Sequence, residues 1–284
     1  TLIAAGSNAF LNWVFIYGHL GMPRLEVEGA AYATIIAKTV EMLLLIGYTI
    51  KERPEFISFS VFKRIDWALF GRILKKGSLL IISQMMWVLS ESFTAAIYNG
   101  RGNAAVVSGM AASFSIANLF FISFDGITTA TGVLIGKSLG RNELDDARKE
   151  KTWMLSAAII FGCIMCLVGV VTVLLVPVVF GNLSIDAQNI CRAMLLLMAL
   201  FMPLWIYVNT QLAVCRAGGD TKVGFLVDGG TTAVMIPMLL ILAFFTNASP
   251  VMMYFGVKAL DVGKIIVATH EMKKERWVVN LSNA

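Results

Sequence analysis

Hydrophobic residues in this chain occur in long runs that are separated by short polar and charged stretches. Most runs are long enough to cross the roughly 30 Å hydrocarbon core of a bilayer as a helix. The pattern predicts a partial first span followed by complete ones, at residues 2–17, 29–50, 77–98, 106–139, 153–179, 187–214, 224–245 and 251–269. The chain is therefore predicted to be an all-α, polytopic membrane protein.

Polar residues in the third span lie on one side of the helix. At about 100° per residue, Gln84, Trp87, Glu91, Thr94 and Tyr98 fall within roughly a quarter of the circumference. A carboxylate at that depth costs about 2.5–3.5 kcal/mol on insertion scales. We predict that Glu91 binds a coupling cation, that Gln84 and Thr94 are neutral ligands, and that Trp87 and Tyr98 contact a flat cationic solute. Alternatively, Glu91 only attaches this helix to a neighbour through hydrogen bonds.

A second polar face follows the fourth span, where Asn118, Phe121 and Asp125 have helical spacing. Asp125 is a second candidate for cation coupling, and Asn118 and Phe121 are candidates for solute binding. Gly132 and Gly136 continue the face with a small-x-x-x-small spacing, which predicts close packing against another helix.

Other charged residues inside spans have structural interpretations. Lys38 and Glu41 lie three residues apart and can neutralise each other, so a structural ion pair is favoured over a transport role. Asp228 begins the seventh span, where capping or interfacial solvation explains it almost as well as gating.

The last span carries Lys258, Asp261 and Lys264 every three residues, and we expect them to pair with one another and extend to the interface. His19 and His270 are the only histidines. Neither a metal-ligand cluster nor a Ser/His/Asp constellation occurs, so we predict no metal site and no enzymatic activity.

Composition agrees with a membrane protein. Hydrophobic residues make up 58% of the chain, charged residues 14%, and the mean hydropathy is +0.78, whereas soluble domains contain about 25% charged residues. The sequence pI is near 9.0, but the basic residues lie in short loops, so a nucleic-acid partner is not expected. The four cysteines lie in apolar runs and are interpreted as small buried hydrophobes.

Basic residues predict the orientation. If residues 51–76 are cytoplasmic, most of the 23 Lys and Arg residues lie on that side, and only Arg24 and Arg101 lie in the opposite loops. Residues 271–284 then form a cytoplasmic tail. The segment 51–76 also contains many large apolar residues, which predicts an amphipathic linker at the membrane interface.

Short motifs along nearly the whole chain resemble those of the multidrug and toxic compound extrusion (MATE) family, in a bacterial branch. They are Asn8-x-x-x-Asn12, Tyr17-Gly18, Gly21-Met22-Pro23, the GAAYAT stretch from Gly29, Trp87, Ile97-Tyr98, Arg101-Gly102, the GKSLG stretch from Gly136, the RAGGDTK stretch from Arg216, Asp228, Pro237 and Trp277. Each motif is weak alone, but the ordered set is specific.

The resemblance implies a twelve-helix protein made of two six-helix lobes. Residues 1–50 would form the last two helices of the first lobe, and residues 77–270 the six-helix second lobe. Because the chain starts at Thr1 without the earlier helices, we expect it to be N-terminally truncated. Some members carry an acid where this chain has Leu204-Trp205-Ile206, so Glu91 would lack that partner.

The resemblance also implies an antiporter that exports organic solutes by alternating access. Coupling would be to H⁺ or Na⁺ without another cofactor, in the bacterial cytoplasmic membrane, and the protein would be a monomer. A cationic solute is expected because the two predicted cavity faces carry acids and rings without Arg or Lys. Alternatives are a flippase for a lipid-linked amphiphile, for which Lys38, Arg192 and the last-span lysines offer thin support, and an inactive fragment.

Overall fold

The computed structural model describes residues 2–52 and 66–279, and within these ranges the chain is helical without strands. The helices are α1 (Leu2–Tyr17), α2 (Glu26–Glu52), α3 (Trp67–Arg101), α4 (Ala104–Gly140), α5 (Leu144–Val179), α6 (Ile185–Ala217), α7 (Lys222–Phe245), α8 (Pro250–Ala259) and α9 (Asp261–Lys273). Among them, α2 to α7 are long and apolar enough to cross a membrane. The all-α membrane fold is thus confirmed.

Several helices extend beyond the predicted spans. α3 begins at Trp67 and α5 at Leu144, each about ten residues before the apolar run that was predicted to span the membrane. The charged residues in these extensions are good helix formers, so the helix continues outside the apolar segment. The predicted linker 51–76 consequently overlaps the ends of α2 and α3, and residues 53–65 of it lie outside the described residues.

The last span was predicted as one continuous segment, and this is wrong, because it consists of two helices that meet at Leu260. The Leu260 amide donates to the Val257 carbonyl at 3.2 Å, and the Gly263 amide donates to the Leu260 carbonyl at 2.9 Å. These are three-residue hydrogen bonds, and they interrupt the four-residue pattern of an α-helix.

The chain divides into two compact units, and the first, up to Trp67, contains α1 and α2. A Cβ on Gly29 would lie 2.7 Å from the Phe15 carbonyl, so only glycine permits this contact between the two helices. Asn12 Nδ2 donates to Asn8 Oδ1 at 3.0 Å, and Asn8 Nδ2 donates to Thr34 Oγ1 at 3.4 Å. The asparagine motif therefore connects α1 to α2.

The second unit, from Ala68, is built around close packing of α4, α5 and α6. A Cβ on Gly162 would lie 2.6 Å from Pro203 Cα, and one on Gly169 would lie 2.7 Å from Ala199 Cβ. The predicted close packing at Gly132 and Gly136 is wrong, because an added Cβ there meets no described atom within 4 Å. α4 buries a different face, which includes Met110, Ala117 and Ile135.

Two local features of α7 position polar groups. Residues Phe225–Gly229 form a π-helical segment that contains Asp228, and such segments often lie near functional sites. At the other end, Arg101 Nη1 donates to the carbonyls of Thr246 at 3.1 Å, Leu242 at 3.3 Å and Ala243. Arg101 thus attaches the end of α3 to carbonyls that the end of a helix leaves without partners.

Candidate functional site

Glu91 of α3 forms an ion pair with Lys258 of α8. Lys258 Nζ donates to Glu91 Oε1 at 2.7 Å, and the side chains are 12% and 32% exposed, respectively. The expected pairing of Lys258 with its neighbours on the last span is therefore wrong. The two predicted cavity faces themselves carry no Arg or Lys, but α8 brings a lysine to the carboxylate of one of them.

Two aromatic rings complete the surroundings of the Lys258 ammonium group. Lys258 Nζ lies 5.4 Å from the ring centroid of Tyr254 and 5.7 Å from that of Trp205. Tyr254 lies one turn earlier on α8, and Trp205 comes from α6. Both separations are within the roughly 6 Å range of attraction between a cation and an aromatic face. The ammonium group is therefore held by one carboxylate and two rings.

The predicted stripe on α3 divides between the interior and the surface. Gln84 is exposed and Trp87 is 46% exposed, whereas Thr94 and Tyr98 are buried. The Thr94 hydroxyl donates to the backbone carbonyl of Ser90 at 2.7 Å. The Tyr98 ring is 6.2 Å from that of Tyr254, and its hydroxyl has no hydrogen-bond partner among the described residues.

A second polar cluster joins the π-helical segment of α7 to α9. Asp261 Oδ2 accepts from Trp205 Nε1 at 2.8 Å, and Asp261 Oδ1 lies 3.2 Å from Lys264 Nζ. Lys264 Nζ also lies 3.9 Å from Asp228 Oδ1, while Ser83 Oγ donates to Asp228 Oδ2 at 2.9 Å. The expected pairing of Asp261 with Lys264 is confirmed. Trp205 contacts both this cluster and the ammonium group of Lys258.

The candidates on α4 are only partly brought to this site. The Phe121 ring lies 6.1 Å from that of Trp205, edge to face. Asn118 and Asp125 are exposed, and the described contacts do not bring either side chain to Glu91. Their roles in solute binding and coupling stay predictions.

In the first unit, Lys38 Nζ lies 2.8 Å from Glu41 Oε2, as expected for an ion pair. Whether this pair, or Asp228 in the second unit, has a gating role stays a prediction. Among residues 2–52 and 66–279, no group of three or more His, Cys, Asp or Glu side chains could hold a metal ion.

Trp205 and Tyr254 were not predicted to be site residues. Tyr254 could have been found, because it continues the i, i+4, i+7 stripe of Lys258 and Asp261 on the last span. Trp205 could not, because nothing in the sequence indicates which residue of α6 contacts a lysine more than fifty positions later.

The family model MatE matches residues 80–241. A probable multidrug resistance protein NorM of Mesorhizobium japonicum is 26% identical over 96% of this chain and 60% of its own length, and a NorM of Neisseria meningitidis is 29% identical over 69% and 43%. The chain thus spans less than two thirds of the length of each of these relatives.

Solved structures share the fold. A MATE protein in the straight conformation has a TM-score of 0.80 at 18% identity, covering 97% of this chain and 61% of the other. The Vibrio cholerae MATE transporter VcmN in the bent form has a TM-score of 0.74 at 17% identity, covering 98% and 62%. Members of the matched family are transporters and not enzymes. Since the family model matches more than half of its residues, this chain belongs to the MatE family.

Proposed function

We propose that the full-length protein is a multidrug exporter of the bacterial inner membrane, driven by H⁺ or Na⁺ and acting by alternating access. The observation that carries the proposal is the half-buried carboxylate of Glu91, which lies within an apolar helix and is held by one exchangeable cation, Lys258. The names of the relatives as multidrug resistance proteins support the same conclusion.

A carboxylate in this position can distinguish two states of a transporter. Protonation of Glu91 would remove the charge that holds Lys258, and a sodium ion would compete with the ammonium group for the same oxygens. In either case the ion changes the contact between α3 and α8. An ion can shift a conformational equilibrium only by binding its two states with different affinity, and this contact supplies such a difference.

The aromatic side chains around Glu91 suit a flat organic cation. Phe121, Trp205 and Tyr254 lie together at the site, and each ring contact with a cation contributes about 1 kcal/mol. Such contacts are weak and geometrically tolerant, so we propose broad selectivity. Because Lys258 balances Glu91, the site attracts a cation only when these two residues separate.

A lipid-linked phosphate is a less suitable solute. Lys258 and Lys264, the lysines of the last span, are each engaged with a carboxylate, namely Glu91 and Asp261. A phosphate would have to displace these pairs, and its own charge would be repelled by the carboxylates. A flippase function therefore ranks below export of cations.

The orientation and oligomeric state belong to the same proposal. We place the C-terminus in the cytoplasm because Lys273, Lys274 and Arg276 follow the last apolar segment, and we propose that the protein is a monomer. A reporter fused after Ala284 should be protected from protease added to intact cells.

The test is the accumulation of a fluorescent organic cation inside everted vesicles that contain the Glu91→Gln variant of the full-length protein. We expect transport to fall about tenfold or more, because the variant keeps the shape of the site but not its charge. Glu143→Gln, in the loop before α5, is the matched control and should transport normally. Collapse of the proton gradient and of the sodium gradient, applied separately, identifies the coupling ion. Normal transport by Glu91→Gln would disprove the coupling role.

A further inference from the structure

We infer that Lys258 is a tethered occupant of a cation site formed by Glu91, Tyr254 and Trp205, and that an organic cation binds there only by displacing it. The inference rests on the proposed function for the class of ligand. It assigns to Lys258 a part in specificity, since any incoming cation must interact with Glu91 more favourably than the ammonium group of the protein itself.

The surroundings of the Lys258 ammonium group are those of a binding site for a substituted ammonium ion. One carboxylate oxygen lies at 2.7 Å, and two aromatic rings lie at 5.4 and 5.7 Å. Aromatic cages with a carboxylate are a general solution for holding such ions. The Lys258 ammonium group contacts Glu91 Oε1, and the Glu91 side chain is 32% exposed, so a second cation can approach the carboxylate.

A second carboxylate, that of Asp261, is close enough to interact electrostatically with the Lys258 ammonium group. Asp261 lies three residues later, across the interruption at Leu260, and it shares Lys264 with Asp228. The cluster of Asp228, Asp261 and Lys264 carries a net charge of −1, whereas the Glu91–Lys258 pair is neutral. If Lys258 moves to Asp261, that cluster becomes neutral and Glu91 is left for the incoming cation. Its flexible stem of four carbons makes this shift feasible.

The test is the binding of tetraphenylphosphonium, whose charge does not depend on pH, to the purified full-length protein at pH 8. The titratable side chains that face the Glu91–Lys258 pair are Tyr98, Tyr254 and Asp261. None of them is altered in the variants that are compared. The proteins compared are the wild type, Lys258→Met, Glu91→Gln and the double variant, with Lys258→Arg as the control that keeps the charge. Elution as a single species in size-exclusion chromatography shows that each variant is folded, and Lys258→Gln replaces Lys258→Met if that variant is not.

We expect Lys258→Met to bind the cation about tenfold more tightly than the wild type, because no ammonium group then competes for the Glu91 carboxylate. At a partly buried site, the interaction of one unit charge with a carboxylate changes the affinity by at least this factor. Lys258→Arg should stay close to the wild type. The gain must disappear in the Glu91→Gln background, because without the carboxylate there is no site for Lys258 to block.

Unchanged or weaker binding by Lys258→Met, or the same gain in the Glu91→Gln background, overturns the inference. If the wild type shows no measurable binding, the inference requires that Lys258→Met reveals it. The proposed function fails separately, by normal transport in Glu91→Gln, so a Lys258→Met variant that gains no affinity while Glu91→Gln loses transport rejects the inference alone.

Discussion

Two parts of the second unit are held together in different ways. Helices α4, α5 and α6 pack closely, at positions where glycine allows the backbones to approach, such as Gly162 against Pro203 and Gly109 against Ala187. Helix α3, in contrast, meets α7 and α8 through side chains. Tyr98 packs in a buried cluster with residues of both helices, and polar contacts join Ser83 to Asp228 and Glu91 to Lys258.

This difference separates a part in which the arrangement of helices is fixed by packing from a part in which the contacts between helices can be exchanged. Close packing of backbones leaves only one good arrangement of helices, because any displacement opens a void or a clash. Ion pairs and hydrogen bonds can be exchanged for others of similar energy, provided that each buried charge keeps a partner. Glu91, the coupling candidate with an observed partner, lies in the exchangeable part, whereas the other candidate, Asp125, lies on α4.

The largest effect should come from a change in the closely packed part. Gly162→Ala places a methyl group 2.6 Å from Pro203 Cα, where a backbone must shift. We expect the free energy of unfolding to fall by about 2–3 kcal/mol, measured by thermal unfolding of the full-length protein in detergent. Gly126→Ala is the matched control, because nothing lies within 4 Å of its new Cβ. An equal loss at both positions would contradict the packing argument.

A smaller loss is expected for Asp261→Asn in the polar part. Asp261 is 6% exposed and accepts from Trp205 Nε1 while pairing with Lys264. The variant leaves Lys264 with Asp228 alone, so we expect the free energy of unfolding to fall by about 2 kcal/mol. Asp125→Asn, at an exposed acid on α4, should leave it nearly unchanged in the same measurement. A loss for Asp125→Asn as large as that for Asp261→Asn would show that burial of the ion pair is not the cause.

Ser83→Ala should have a smaller effect again. Ser83 is buried and its hydroxyl donates to Asp228 Oδ2 at 2.9 Å, which joins α3 to α7. Loss of one hydrogen bond to a carboxylate that keeps Lys264 nearby should lower the free energy of unfolding by about 1 kcal/mol. Ser78→Ala, whose hydroxyl donates only to the Lys75 carbonyl of its own helix, is the control. If both serine variants melt at the wild-type temperature, the contact between α3 and α7 does not depend on this bond.

The smallest effect concerns pH at the end of α9. The hydrogen bond from Lys274 lowers the pKa of the Glu271 carboxyl from its ordinary value of 4.5, burial opposes this shift, and Arg276 adds to it. A carboxyl whose pKa is lower in the folded state stabilises the fold above the unfolded pKa and loses this effect as the pH falls through the folded pKa.

The stability difference between wild type and Glu271→Gln should therefore shrink below about pH 4.5. Melting temperatures between pH 7 and 3.5 test this, and Lys274→Met should remove most of the pH dependence. A difference that is constant over the whole range would mean that Glu271 acts by packing alone.

The existence of the helices could be predicted from the sequence, and much of the site could not. Apolar runs located the six described helices that are long and apolar enough to cross a membrane, because burial in lipid requires a continuous apolar segment. The helix ends, the π-helical segment around Asp228 and the interruption at Leu260 were missed, because they depend on local backbone hydrogen bonds that hydropathy does not report.

For the site, helical periodicity drew attention to Glu91 as an acid on an apolar helix, but it did not indicate its partner. Lys258 lies 167 residues later, and a single sequence holds no signal for contacts over that distance. Periodicity also placed Gln84 and Tyr98 in one stripe, whereas one is exposed and the other buried. The neighbours of a helix, rather than its own pattern, decide which part of a stripe is covered.

The interruption at Leu260 has a mechanical consequence. A continuous helix behaves as a stiff rod and passes a rotation at one end to the other. Here the segment consists of two helices, with Lys258 on α8 and Asp261 on α9. The two helices pack in different buried clusters, α8 through Met253 and Val257 and α9 through Ala268 and Met272, so a rotation of α8 need not be passed on to α9. A twist that starts beside Glu91 can therefore be absorbed at a single residue.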